Sequence, residues 1–349
     1  MLVMGRISVL ISCLVLCCAC SRGPSGSESV DARKLRPFAA LPDVAAPAQG
    51  SLSDAKIALG RMLYYDARLS KSQKLSCNSC HKLTEYGVDN EPTSDGHKGQ
   101  KGDRNSPSVY NAAAHFAQFW DGRAPTVEEQ AKGPVLNPVE MAMGSEKDVI
   151  AVLKSMPEYV EAFTKAFPDQ KDPVTYDNVG NAIGAFERKL MTPGRWDKFL
   201  TGDQQALTPA EKAGFNEFVG AGCQSCHAGA LVGGAMFQKI GVVEPWPDTT
   251  DPGRYKVTRN EADRFLFKVP SLRNVEKTAP YFHDGRTATL KDAIARMGQY
   301  QVGKRLTDAQ IQSIETWMAS LTGEIPAGYI KEPVLPKSTS KTPKPSEAD

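Results

Sequence analysis

An excess of charge of either sign is missing from this chain. Across 349 residues the formal net charge is only +2, so no broad basic surface is available for a nucleic acid. A membrane-spanning run is missing from its start: the apolar stretch Ile7 to Leu16 is too short to hold a permanent place in a bilayer. Cysteine is present with none to spare. Of the eight, Cys13, Cys17, Cys18 and Cys20 lie within or just after that apolar stretch and the rest in two short motifs. No pair remains for a structural disulfide, although an exported protein could form one. Histidine is scarce, with five in the chain.

What is there begins with those two motifs. Cys77-Asn78-Ser79-Cys80-His81 and Cys223-Gln224-Ser225-Cys226-His227 both read Cys-x-x-Cys-His. At this spacing two thiols add to the vinyl groups of a haem and the adjacent histidine ligates its iron. Chance would supply such a pentad about 0.003 times in a chain of this composition. Two covalently bound c-type haems are therefore expected, acting as covalent staples and adding apolar surface to two small cores.

The length suits two domains. Met1 to Leu16 reads as a secretory signal, and Leu16-Cys17-Cys18-Ala19-Cys20-Ser21 resembles a bacterial lipoprotein signal, with Cys20 the candidate lipidated residue. Residues 1–20 are thus assigned as signal, and the periplasm, with a candidate lipid anchor at Cys20, is the expected location; ordinary cleavage near Ala19 would give a soluble periplasmic form. Residues 21–50, rich in Ser, Gly, Pro and Ala, look like a flexible tether.

Each pentad is flanked by helices. The segment from Ser51, with Asp54 and then Ile57, Leu59, Met62 and Leu63, predicts a capped helix before the first. Thr208-Pro209-Ala210-Glu211 predicts a capping box and helix before the second. Thr175 to Leu190 and Thr307 to Leu321 carry apolar stripes at helical spacing, as does Ser145 to Met156; taken alone these stripes are ordinary core. The expected fold is mainly α, with two cytochrome c-like haem domains in tandem (51–195 and 196–325) and little β structure. Phe119-Trp120-Asp121-Gly122-Arg123 matches Phe282-His283-Asp284-Gly285-Arg286 at constant offset, the mark of a duplication. Residues 191–207 read as the crossover. Residues 326–349 form a Pro-, Lys-, Ser- and Thr-rich extension whose last dozen residues are expected to be disordered.

Each haem iron needs a second axial ligand. With His81 and His227 used, His97, His115, His283 and the methionines remain. His97 lies in the polar loop Thr93 to Gly99, where a histidine is as readily exposed as ligating. Met297 follows a short helix late in the chain, where a methionine either packs or completes a His/Met site of high potential. Gln130 and Glu140 are the nearby groups that could do proton chemistry, though a glutamate is more often a solvated charge.

These residues resemble the bacterial di-haem cytochrome c peroxidases from about Leu59 to Pro326. The resemblance rests on Leu59 to Asp66, both pentads, Phe119 to Ala124, Gln130 to Pro134, Leu136 to Met141, Pro280 to Gly285 and Leu321 to Glu324. It implies reduction of hydrogen peroxide to water with electrons from a small periplasmic cytochrome c or a cupredoxin. Carried over position by position, His81 is the proximal and His97 the removable distal ligand of a low-potential peroxidatic haem. His227 and Met297 ligate a high-potential electron-transfer haem where electrons enter. Trp120 lies between the haems, while Glu140 moves a proton between the peroxide oxygens and Gln130 orients them. The resemblance also implies a calcium ion at Asn105 and the carbonyls of Thr278 and Pro280, hard oxygen donors as calcium requires, and a homodimer. His283 falls near the second haem without a firm role; His115 matches no functional position and reads as a packing or surface residue.

Two other readings stand beside this one. A related di-haem oxidase that modifies a partner protein has tyrosine where this chain offers Met297, and Tyr300 is close by. A plain di-haem electron carrier would have no use for Gln130 and Glu140.

Overall fold

The computed structural model describes residues 29–47 and 51–346. The signal region with Cys20 lies outside the described residues. As the composition and periodicity predict, the chain is mainly helical.

In the first half, α1 (Ala32–Leu35) is a single turn and α2 (Asp54–Tyr65) leads to α3 (Cys77–Cys80), which carries the first thiol pair. Then come α4 (Val127–Leu136), α5 (Glu146–Lys154), α6 (Pro157–Ala166) and α7 (Tyr176–Glu187). Thr126, Ser145 and Thr175 cap α4, α5 and α7 by accepting backbone amides. The pattern at Ser51 puts the start of α2 two residues early. Ser53 is the cap, its hydroxyl accepting the Lys56 amide at 3.2 Å, while the Ser51 carbonyl accepts from the Lys56 ammonium.

The second half contains α8 (Arg195–Leu200), α9 (Pro209–Ala221), α10 (Tyr255–Thr258), α11 (Leu290–Arg296) and α12 (Asp308–Met318). Thr208 and Glu211 form the predicted capping box of α9. Strands β1 (Phe237–Lys239) and β2 (Leu266–Lys268) form one antiparallel pair with Gln238 opposite Phe267.

Both cores are built on the same device. In the first, Leu59, Leu63 and Tyr64 of α2 meet Val179, Ile183 and Phe186 of α7. A β-carbon on Gly60 would lie 1.8 Å from the Ala182 carbonyl oxygen, so only glycine permits this crossing. In the second, Phe215 and Phe218 of α9 meet Ile314 and Trp317 of α12, and a β-carbon on Gly214 would lie 2.0 Å from the Ser313 carbonyl oxygen. Trp196 of α8 sits fully buried among Phe38, Phe199, Phe215 and Trp317, so the crossover segment belongs to the second core.

The duplication is visible in the backbone. Phe119 and Phe282 have φ of 65° and 68°, and the bridges Gln118–Ala124 and Tyr281–Thr287 are equivalent. Asn111 and Asn274, at the same offset, both adopt left-handed φ and both donate to the Thr192 hydroxyl, at 2.8 and 2.9 Å. The two repeats thus converge on one buried threonine in the crossover.

Both end segments differ from expectation. Residues 29–47 fall within the expected tether, yet Phe38 inserts into the second core. The Leu41 amide donates to the buried Asp197 carboxylate at 2.7 Å, and the Ala45 amide to the Arg188 carbonyl at 2.9 Å. A composition average hides two apolar anchors among small residues. The expected disorder at the C-terminal end is likewise replaced, through residue 346, by a strap along the first domain. Ile330 is buried in the first core, the Tyr329 hydroxyl donates to the Phe186 carbonyl at 2.7 Å, Arg68 donates to the Pro336 carbonyl at 2.8 Å, and the Ser346 amide donates to the Lys71 carbonyl at 2.9 Å. Proline removes backbone donors, but here the strap uses its carbonyls to receive the first domain's side chains.

Candidate functional site

The first pentad opens on a cavity of about 650 Å3. Cys77, Cys80 and His81 line it together with Gln130 and Pro134 of α4 and with Asn137 and Glu140 of the turn that follows. That turn is shaped by Pro134, whose carbonyl accepts the amides of Asn137 and Met141. The Asn137 side-chain amide then donates to Glu140 Oε1 at 2.9 Å and fixes the carboxyl at the cavity wall. Burial raises the Glu140 pKa above the ordinary carboxylate range, opposed by the Arg123 guanidinium and the Asn137 hydrogen bond. A carboxyl raised in this way is suited to accepting and returning a proton.

His81 and His227 are neutral imidazoles, as metal ligation requires. Burial lowers the His81 pKa and brings that of His227 to about 4. His227 Nδ1 lies 3.2 Å from the Val232 carbonyl oxygen, which fixes the ring and leaves Nε2 for a ligand. Burial also keeps the thiols protonated, Cys77 at about 12 and Cys223 at about 11, and all four pentad cysteines are free. Paired thiols on one turn, a neutral histidine beside them and a large cavity in front fit a covalently attached haem at each pentad.

The second cavity is lined by Cys223, Cys226 and His227 together with Pro280, Tyr281, Phe282, His283 and Met297. Met297 opens a π-helical turn, Met297–Val302, directly after α11. Tyr300, in the same turn, is absent from the cavity lining and packs edge-on against Trp246, ring centroids 5.2 Å apart.

Trp120 lines both cavities. Its indole N–H donates to the Asn105 carbonyl at 2.9 Å, and the Asn105 amide in turn donates to the His283 carbonyl at 2.8 Å. Asn105, Thr278 and Pro280 all line the second cavity. Across this boundary Arg104 pairs with Asp121 and, through two hydrogen bonds, with Asp251, whose pKa burial raises but the guanidinium holds down at about 2.

His97 is not among the residues lining the first cavity. Its ring is buried with neither nitrogen hydrogen-bonded, and its backbone amide donates to the carbonyls of Val139 and Glu140 at 2.9 and 2.8 Å. A β-carbon on the preceding Gly96 would lie 1.9 Å from the Val139 carbonyl oxygen. The His97 loop is therefore stitched to the turn that carries Glu140.

Two polar residues of the site, Glu187 and Lys268, escaped the sequence reading, and a third, His115, was read only as a packing or surface residue. Glu187 lines the first cavity and is 4% exposed, with its pKa pushed up to about 8 by burial and the nearby Glu128 carboxylate, against the lowering effect of Arg188. Its position four after Ile183, on the apolar face of α7, was the available signal. Lys268 and His115 line the second cavity in contact with each other. A lysine inside the run Leu266-Phe267-Lys268-Val269 was the hint there, and His115 is a cavity residue as well as a packing one.

Residues 54–205 match a family model described as di-haem cytochrome c peroxidase. The chain is 48% identical over 289 residues to the cytochrome c551 peroxidase of Nitrosomonas europaea, covering 82% of this chain and 85% of that one. It is 44% identical over 317 residues to the cytochrome c551 peroxidase of Pseudomonas aeruginosa, covering 89% and 90%. Among solved structures it is similar to a MauG-like protein associated with microbial copper homeostasis, with 28% identity, a TM-score of 0.75, and 84% of this chain and 97% of that one covered.

Proposed function

The chain belongs to the di-haem cytochrome c peroxidase family, and on that premise we propose that it reduces hydrogen peroxide to water with electrons from a small periplasmic cytochrome c or cupredoxin. Electrons enter at the haem of His227 and Met297 and pass to the peroxidatic haem of His81. One observation carries the reading: Glu140 and Gln130 line the same cavity as Cys77, Cys80 and His81. An electron carrier has no need of a carboxyl held there at raised pKa.

The haems, when bound, supply the iron that receives peroxide and the electrons that cleave its O–O bond. The protein supplies the proton handling. Glu140, oriented by Asn137, takes a proton from one peroxide oxygen and returns it to the other, which departs as water. Gln130, on the adjacent helix, orients the peroxide. Trp120 spans the boundary between the cavities and assists electron transfer. Because His97 does not line the cavity, it would serve as the removable distal ligand only once its loop moves, and its tie to the Val139–Glu140 backbone links that movement to the acid-base group. That Met297 lines the second cavity and Tyr300 does not favours a His/Met site over the oxidase alternative.

Calcium between the domains is part of the same reading. The Asn105 side-chain N–H group is occupied by the Glu91 carbonyl at 3.0 Å, which turns its oxygen into the available donor beside the carbonyls of Thr278 and Pro280. The protein acts in the periplasm as a homodimer, anchored through lipidated Cys20; Cys20→Ser is expected to release it from the membrane fraction, and unaltered retention would count against the anchor.

The deciding experiment is peroxide-dependent oxidation of a reduced small cytochrome c by haem-loaded protein, fully oxidised and again after half-reduction. Activity confined to the half-reduced enzyme supports a peroxidase gated at His97, and activity in both an open one. Activity in neither returns the carrier and oxidase readings.

A further inference from the structure

Lys268 is a buried amine without an acid. It is 6% exposed on β2, held there by its own amide donating to the Trp120 carbonyl at 2.7 Å. Its Nζ lies 2.8 Å from His115 Nδ1, and among the described residues no carboxylate stands within salt-bridge distance of it. Both residues line the cavity in front of Cys223, Cys226 and His227. The ammonium has no acceptor capacity, so Nζ donates and His115 Nδ1 accepts, which puts the imidazole proton on Nε2. That nitrogen is buried and has no partner.

A buried cation whose one side-chain partner is a neutral imidazole is costly unless an anion arrives. Arg104, the neighbouring cation, is already committed to Asp121 and Asp251. Lys268 is not, and two of its three N–H groups remain for something in the cavity. A haem attached at the second pentad brings two carboxylates of its own. Burial draws the lysine down to about 8, and a carboxylate alongside keeps it charged.

We propose that Lys268, oriented by His115, binds a propionate carboxylate of the haem attached at Cys223 and Cys226. Lys268 is then a cofactor-binding residue and His115 a positioning residue acting through it. The ammonium offsets the propionate's negative charge, which otherwise favours the ferric state, and so raises the potential of the haem that receives electrons. This inference rests on the reading that a haem occupies the second pentad.

The test is a spectroelectrochemical titration of the haem-loaded protein and of its Lys268→Met and Lys268→Arg variants across pH. Lys268→Met is expected to lower the second haem's midpoint potential by about 59 mV, a tenfold change in the one-electron equilibrium. It is also expected to introduce a pH-dependent segment as the unpaired propionate titrates, while Lys268→Arg keeps the wild-type potential. Two attached haems with an unchanged potential in Lys268→Met would overturn the proposal. A wild-type protein with one haem, counted by mass and by its pyridine haemochrome, would instead overturn the reading beneath it. If Lys268→Met does not fold, a crystal structure of the haem-loaded wild-type protein decides. Nζ at hydrogen-bond distance from a propionate oxygen supports the assignment, and Nζ turned away from both propionates refutes it.

Discussion

Trp120 and His283 occupy the same position in the two copies of the internal repeat, and their rings meet edge to face with centroids 6.4 Å apart. His283 is sandwiched further by Phe267, stacked at 4.2 Å. The duplicated turns thus face each other across the domain boundary, and the copy that kept tryptophan touches both cavities. Trp120→Phe keeps an aromatic ring but removes the indole donor to Asn105, a hydrogen bond worth about 1 kcal/mol. Both haems are expected to remain attached while peroxide-driven oxidation of the second haem slows in stopped-flow traces. An unaltered rate would remove Trp120 from the electron path.

Glu140→Gln keeps the shape and the Asn137 neighbour but cannot shuttle a proton. Turnover is expected to fall by about 10²- to 10⁴-fold, in kcat, with the haem spectra unchanged. Because burial raises the Glu140 pKa, wild-type activity is lost as pH falls through that raised value, since the base form is consumed. Arg123→Ala removes the opposing positive charge and is expected to move this acidic limb to higher pH. A limb that stays in place in the Arg123 variant would show that another group titrates.

His97→Gly removes the imidazole and leaves the backbone amide that binds Val139 and Glu140. The fully oxidised variant is expected to turn over peroxide without prior half-reduction. A persistent need for half-reduction would mean that His97 does not close the site.

Glu187 makes stability depend on pH. Its folded pKa of about 8 lies above the ordinary glutamate value of 4.5, so between these values the folded chain holds a proton that the unfolded chain has released. The stabilisation is complete below the lower value and is lost as pH rises to the upper. Denaturant titrations of the haem-loaded protein are expected to show this decline between pH 5 and 8, and Glu187→Gln to flatten it. Equal slopes in the two proteins would place the titration elsewhere.

Much of this was legible in the chain because it is local chemistry. Cys-x-x-Cys-His is a covalent specification written in five consecutive residues. The caps at Ser145, Thr175, Thr208 and Thr307 use a side chain to satisfy an amide three residues away. Helix α7 shows its apolar face through spacing alone. Even the repeat is a comparison of the chain with itself. Ser51 against Ser53 marks the resolution of such reading: two residues with the same hydroxyl, separated only by which backbone turns first.

The rest depends on residues far apart in sequence. Phe38 sits in a segment whose composition reads as a tether and Ile330 in a Pro- and Lys-rich extension, and each is held by a core assembled elsewhere. Lys268 and Glu187 acquire their shifted pKa values from burial, which no local pattern measures. Thr192 becomes a joint only because two asparagines reach it from opposite halves. The sequence alone determined the two haem attachment points, the helical class and the duplicated plan, since these follow from bonds and periods along the chain. Tertiary structure alone decided which groups face one another across the cavities and how the end segments are held, because desolvation and packing exist only once distant surfaces meet.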